Sequence, residues 1–290
     1  MLAPMQSQHA AHRLADAERW RRPPAFPPAW ADAWGDDRFG LWAEISVGEV
    51  VQRMRWVEPG EFWMGSPDDE AERSSNEGPR HRVRLVGFWL ADSACTQALW
   101  QAVMGSNPSH FTGDASLPVE QVSWDDVQGF LQRLQAGLPE GSEPVLPTEA
   151  QWEYACRAGT ETPFSFGTTL TTAQANYDGN YPYGKAPKGP YRERTVPVKS
   201  LPANAWGLYE MHGNVWEWCA DDWRDYAGTA LRDAVLQDPW GPVPQEQGAP
   251  RAVRGGSWLL RAGFLRSALR SRDPRGDRYY TLGFRVALRS

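Results

Sequence analysis

The sequence predicts a loop-rich fold built from short strands and few helices. Three observations point there. Proline and glycine together make up 51 of the 290 residues, too many for a helical bundle or a solenoid, because both residues interrupt long helices. Only two helix starts carry a full capping pattern. Strand-like alternation gathers towards the two ends of the chain, with a long turn-rich stretch between.

The elements follow in order. Residues 1–45 form a Pro- and Trp-rich arm. Its PPAFPPAW stretch (23–30) cannot be a regular helix and reads as an extended segment whose Phe26, Trp30 and Trp34 pack on the body. Trp20, Trp30, Trp34 and Trp42 also raise the alternative of a docking strip for a larger signalling assembly. The main domain then runs over 46–290. Residues 41–64 predict two short strands around a turn at Pro59-Gly60, and residues 81–91 a further strand. Between them lies a charged loop, 66–80. Residues 96–104 suit a helix. Ser123 caps a second over 124–135, with Asp126 at its third position and Trp124, Val127, Leu131 and Leu134 on one face. Thr148 and Gln151 form the capping pattern of a third, 149–158, which turns Trp152 and Ala155 inward. Beyond residue 160 helical periodicity gives way to turns at Asp178-Gly179, Tyr183-Gly184, Lys188-Gly189 and Gly255-Gly256. So long an irregular stretch is normally functional. Phe284, Val286 and Leu288 alternate as a closing strand.

Composition limits the function. Hydrophobic residues at 41% and charged residues at 23% suit a folded domain. No apolar run is long enough for a membrane helix, and the first 35 residues hold no apolar stretch of the signal-peptide kind. The expectation is therefore a cytoplasmic protein. Cys95, Cys156 and Cys219 are odd in number, widely spaced and free of any CxxC pair, which suits small buried residues. A net charge of −6 argues against general nucleic-acid binding. The charge is unevenly spread, however. Residues 251–290 hold ten Arg against Asp273 and Asp277 alone. Either these arginines pair with acids elsewhere in the fold, or they form a face for acidic or planar groups.

Six phrases in order narrow the reading: FWMGS (62–66), LPVEQVSWDDVQGFLQRL (117–134), LPTEAQWEYACRAG (146–159), NAWGLYEMHGNVWEWCADDW (204–223), RAVRGGSW (251–258) and LGFRVA (282–287). Their order and spacing resemble the formylglycine-generating enzyme, or sulfatase-modifying factor, family over residues 50–290. The resemblance implies a C-type-lectin-like α+β fold with much irregular structure and few helices. It also implies copper held by two cysteines after the GGSW motif. Here the nearest positions are Leu260 and either Phe264 or Leu265, and no cysteine follows Cys219. Leucine and phenylalanine cannot replace the thiolates that hold copper(I), so no copper and no family oxidase activity are expected. Relatives that bind iron through histidines are not matched either, since His9, His12, His81, His110 and His212 form no such pattern. The resemblance further implies structural calcium. One site would use the carbonyls of His212, Gly213 and Val215 with the Glu217 carboxylate, for which a salt bridge to an arginine is the alternative. Another would start at Asn176 and Tyr177, without an aligned acid near residues 191–196.

Within 257–287, short mixed clusters interrupt the scaffold: Leu259-Leu260-Arg261, Ser271-Arg272-Asp273 and Tyr279-Tyr280-Thr281. They have no period of 2 or 3.6 and so read as loop surface. Together with Phe264 and Leu269 they are the expected ligand-binding residues, with tyrosine and arginine supplying binding energy. The pattern also resembles the variable proteins of diversity-generating retroelements, whose randomised AAC codons cannot yield Trp, Met, Gln, Glu or Lys. Residues 259–283 hold none of these five types, which elsewhere are common enough to total 57 of 290. The expected function is non-catalytic binding of a protein or other macromolecular ligand, with no nucleic-acid or membrane partner. The alternative is an enzyme with an altered active site.

Overall fold

The computed structural model describes residues 21–226, 235–238 and 248–289. Its largest layer is a six-stranded antiparallel sheet in the order β1-β2-β3-β6-β13-β7. These strands are β1 (Ala33–Asp37), β2 (Gly40–Val47), β3 (Val50–Val57), β6 (Phe88–Ala91), β13 (Ala287–Leu288) and β7 (Pro144–Val145). The C-terminal strand thus lies between β6 and β7, in the interior of a sheet begun by the N-terminal hairpin. A four-stranded sheet has the order β11-β10-β8-β12: β11 (Arg270–Asp273), β10 (Arg251–Arg254), β8 (Trp216–Asp222) and β12 (Leu282–Gly283). The third sheet joins β4 (Gly60–Met64), β5 (His81–Leu85) and β9 (Val235–Gln237). Strand β5 shows the period of two directly: His81, Val83 and Leu85 are buried while Arg82 and Arg84 face out.

Three helices occur among the described residues: α1 (Gln97–Met104), α2 (Trp124–Ala136) and α3 (Glu149–Arg157). The second and third begin at the expected caps, and the first at Thr96. Thr96 accepts from the Leu99 amide, and the Ser123/Asp126 and Thr148/Gln151 pairs both form reciprocal capping boxes. Helix α2 buries Trp124, Val127, Phe130, Leu131 and Leu134. Phe130 stacks on Trp100 of α1 at 5.2 Å and meets Phe284 edge-on, joining both helices to the closing segment. Residues 158–215 hold no named strand or helix. No described helix is long and apolar enough to cross a membrane.

Several expectations change. The boundary at residue 45 falls inside β2, whose Ala43 and Ile45 are fully buried, so the arm's end belongs to the sheet. Residues 41–64 form three strands, because a turn at Gly48-Glu49 precedes the one at Pro59. Residues 81–91 split into β5 and β6. Phe26 and Trp30 pack on Trp89, at 6.3 and 5.3 Å, and the Trp56 indole donates to the Arg21 carbonyl. Trp34 instead stands half exposed. Trp20, His9 and His12 lie outside the described residues.

Candidate ligand-binding face

The C-terminal arginines mostly resolve into ion pairs. Of the ten, all within the described residues, nine face a carboxylate. Arg285 grips Glu217 through Nε and Nη2 at 2.6 and 2.7 Å, both side chains buried. Arg266 holds Glu77 at 2.6 and 2.7 Å and also reaches Glu70. Arg270 holds Glu149 at 2.6 and 2.7 Å, and Arg254 reaches Glu153. Arg251 pairs with Asp222, Arg261 with Glu72, Arg275 with Asp125, Arg278 with Asp126 and Arg289 with Glu143. Arg272 instead lies over the Trp223 ring. The charge excess therefore ties the C-terminal segment to α2, α3, β8, the 66–80 loop and the approach to β7. Bidentate geometry suits this, because a buried guanidinium must satisfy its fork of donors.

That lattice presents some of the expected ligand residues and hides others. Leu259, Phe264, Tyr279 and Tyr280 are exposed by 37–44%, and Arg261 and Arg272 are exposed as well. Leu260, Ser271, Asp273 and Thr281 are half-buried. Leu269 is buried, which removes it from the face: it ends a turn closed by its own amide on the Arg266 carbonyl and leads into β11. Ser271, Arg272 and Asp273 are strand rather than loop, paired with β10. Arg261 and Phe264 meet, the guanidinium 5.0 Å from the ring centroid.

Tyr280 belongs to an aromatic patch that the sequence reading missed. It lies 5.7 Å from Trp258, 5.6 Å from His110 and 6.2 Å from Phe111, while Tyr191 stacks on Trp258 at 6.1 Å. Arg194 covers Phe111 at 5.5 Å. Three irregular segments thus converge on one patch. The only sequence signal was aromatic residues within turn-rich stretches, and nothing local pairs position 111 with 258.

The positions that should carry copper thiolates are apolar. Leu265 is fully buried and Leu260 packs against the same cluster, which includes Phe164, Leu170, Tyr177, Tyr183 and Ala262. Phe264, the other candidate position, points out. The existing thiols are buried and free. Burial pushes Cys156 up to about 12, and raises Cys95 and Cys219 well above the usual thiol range, so none offers a thiolate. Cys156 lies 3.8 Å from His212 Nε2. That imidazole is itself committed. Its Nδ1 lies 2.7 Å from the Leu265 carbonyl and its Nε2 accepts from the Ser165 amide. Burial lowers its pKa to about 4.

Nor does the expected Glu217 calcium site fit the ion as arranged. Both Glu217 oxygens face Arg285, and Oε2 also accepts from the Trp152 indole at 2.7 Å. A divalent cation on this carboxylate would meet a fixed guanidinium. The salt bridge is the alternative that the geometry favours. Gly213 has φ +86° and its Cα faces the Asn176 carbonyl, where a Cβ would clash, so the segment is shaped by backbone contact. Val215 is buried in the same turn. Asn176 donates to the Arg194 carbonyl and to Asn214, and the Tyr177 hydroxyl donates to the Leu170 carbonyl. Among the described residues no group of three His, Cys, Asp or Glu side chains is placed to hold a metal.

Comparison with known proteins places this arrangement. The sulfatase-modifying factor enzyme 1-like domain matches residues 43–290. The chain belongs to that family. It is 30% identical over 286 residues to the formylglycine-generating enzyme of Streptomyces coelicolor, covering 79% of this chain and 86% of that one. It is 29% identical over 270 residues to serine/threonine-protein kinase pkn1 of Chlamydia caviae, covering 84% of this chain but spanning only 39% of the kinase. Among solved structures, Treponema denticola variable protein 1 superposes with a TM-score of 0.71 at 28% identity, covering 86% of this chain and 99% of that one. The family fold is thus shared both by an enzyme and by a variable protein. In this member, Leu260 and either Phe264 or Leu265 stand at the positions expected for the copper thiolates.

Proposed function

We propose that this chain is a non-catalytic ligand-binding protein that recognises a protein partner through the C-terminal loop face of a lectin-like scaffold, as a diversified variable protein. The observation that carries the reading is the fate of the two thiolate positions. Leu260 and Leu265 pack in one apolar cluster, while Phe264, the alternative second position, stands exposed with Leu259 and Arg261 on a framework held by buried ion pairs. Copper(I) has no soft ligand there. A rigid framework lowers the ordering cost of binding. Tyrosine and arginine are the side chains that concentrate interface energy. The likeness to Treponema denticola variable protein 1 and the absence of Trp, Met, Gln, Glu and Lys from 259–283 support diversification.

Two experiments test the reading. Incubated with copper(I), oxygen and a cysteine-bearing peptide, the purified chain should form no formylglycine aldehyde; turnover would overturn the proposal. In the encoding genome, a reverse transcriptase gene should accompany a near-copy of the region for residues 257–287 that differs at adenines. A locus with neither refutes diversification.

A further inference from the structure

The loop that supplies Tyr191 carries two arginines, Arg192 and Arg194, which form no ion pair among the described residues. Both line a surface cavity of about 370 Å³, together with Thr195, Asp114, Leu117 and Pro197. The volume falls at the lower end of that of small-ligand sites, roughly 300–1,000 Å³, and far exceeds the space of a single water. Its polar wall has donors to spare. Arg192 is anchored through Nη2 on the Thr172 carbonyl at 2.8 Å, while its buried Nη1 has no acceptor. The Thr195 hydroxyl is likewise buried and without a partner. Unmet buried donors are costly, so they mark a place where an acceptor is missing.

The wall is also rigid. Asn176 donates to the Arg194 carbonyl, the Asn214 side chain bonds Val196 through both its amide and its carbonyl, and the Val198 amide donates to the Ser116 carbonyl. Asp114 is the one acid of the lining. Its Oδ1 accepts from both the amide and the hydroxyl of Ser116, which hold its carboxyl below the ordinary range and keep it charged. Two guanidinium groups against one carboxylate leave the cavity cationic. Arg194 lies across Phe111, and Phe111 touches Trp258 and Tyr280, so the cavity opens beside the aromatic patch.

We infer that this cavity is a fixed anion subsite of the ligand-binding face, which takes a carboxylate side chain of an acidic segment of the protein partner onto Arg192, Arg194 and Thr195. The inference rests on the proposed binding function, and it places one determinant outside the 257–287 segment. Variation in that segment would then change the partner's apolar contacts while one acidic anchor stays constant.

The test is a titration of the full chain with a blocked hexaglutamate peptide, read by the arginine side-chain Nε–H signals in 1H–15N spectra. Saturable shifts are expected at Arg192 and Arg194. Arg194→Gln should weaken binding about tenfold, as the loss of a charge-assisted hydrogen bond does. Thr195→Val should weaken it about threefold without lowering the Tm, since it removes a hydroxyl that has no partner in the free protein. A purely structural threonine would not separate the two readouts in this way. The inference is overturned if hexaglutamate moves neither signal, if the Arg192 shift titrates with unchanged affinity in Arg194→Gln, or if inorganic phosphate binds more tightly than the peptide. The variant with Leu259, Tyr279 and Tyr280 changed to Ser should keep peptide binding. If that variant unfolds, the face reading fails while the titration of the unaltered chain still decides the cavity.

Discussion

Two groups of arginines divide this protein. Those of residues 251–289 look, in the sequence, like the basic binding face, yet most are spent internally: Arg254, Arg266 and Arg285 are fully enclosed and locked on glutamates. Arg192 and Arg194 flank Glu193 in a shorter basic stretch that also holds Lys185, Lys188 and Lys199 and attracts less notice, yet they form no ion pair among the described residues and line a cavity beside exposed aromatics. The difference teaches that clustering of charge along a chain says little about where charge is available. Availability depends on whether the fold brings an acid to each base, and here the acids come from α2, α3, β8, the 66–80 loop and the approach to β7.

Breaking a buried pair should have the largest effect. Arg285→Met leaves Glu217 enclosed with only the Trp152 indole as donor, and should cost about 3–5 kcal/mol in chemical denaturation. A loss below about 1 kcal/mol would mean that the pair is dispensable. The next effect is a pH dependence at His212. Its folded pKa, about 4, lies below the unfolded value. Between the two, the unfolded chain binds the proton that the folded chain refuses, so stability falls as pH drops from about 6.5 towards about 4, by up to about 3 kcal/mol. His212→Gln should flatten that part of the stability–pH curve, and an unchanged slope would contradict a neutral buried imidazole.

Smaller effects sharpen the contrast within the first group. Arg278 holds Asp126 in bidentate fashion at 2.7 and 2.8 Å, but its side chain is half exposed. Solvent screens such a pair, so Arg278→Gln should cost less than about 1 kcal/mol. Smallest is the effect of chelation. With Glu217 committed to Arg285, dialysis against EDTA should leave the Tm in place, whereas a fall of several degrees restored by calcium would reverse the metal assignment.

Local chemistry was the legible part of the fold. Ser123 with Asp126, Thr148 with Gln151 and the alternation of β5 are each settled within a few residues, and the structure has all of them. What depends on distant partners was not legible. Strand β2 runs through the expected boundary at 45 because β3 and β1 flank it, which no local pattern encodes. Leu269 resembled its exposed neighbours in type and differs only in what the turn before β11 does with it. The face was visible at Tyr279 and Tyr280, whose setting has no periodicity. Its other half, Phe111, His110 and Tyr191, is joined to it only through space. The arginine partners were unreadable for the same reason: Arg266 and Glu77 lie 189 positions apart.

The central claim is that the exposed cluster residues serve a ligand and not the fold. Thermal unfolding of a variant with Leu259, Arg261, Phe264, Tyr279 and Tyr280 all changed to Ser tests it most directly. The account predicts a cooperative transition within about 5 °C of the unaltered chain, since surface substitutions each move stability by about 0.5 kcal/mol or less. Loss of the cooperative transition would contradict it, because those side chains would then be part of what holds the protein together.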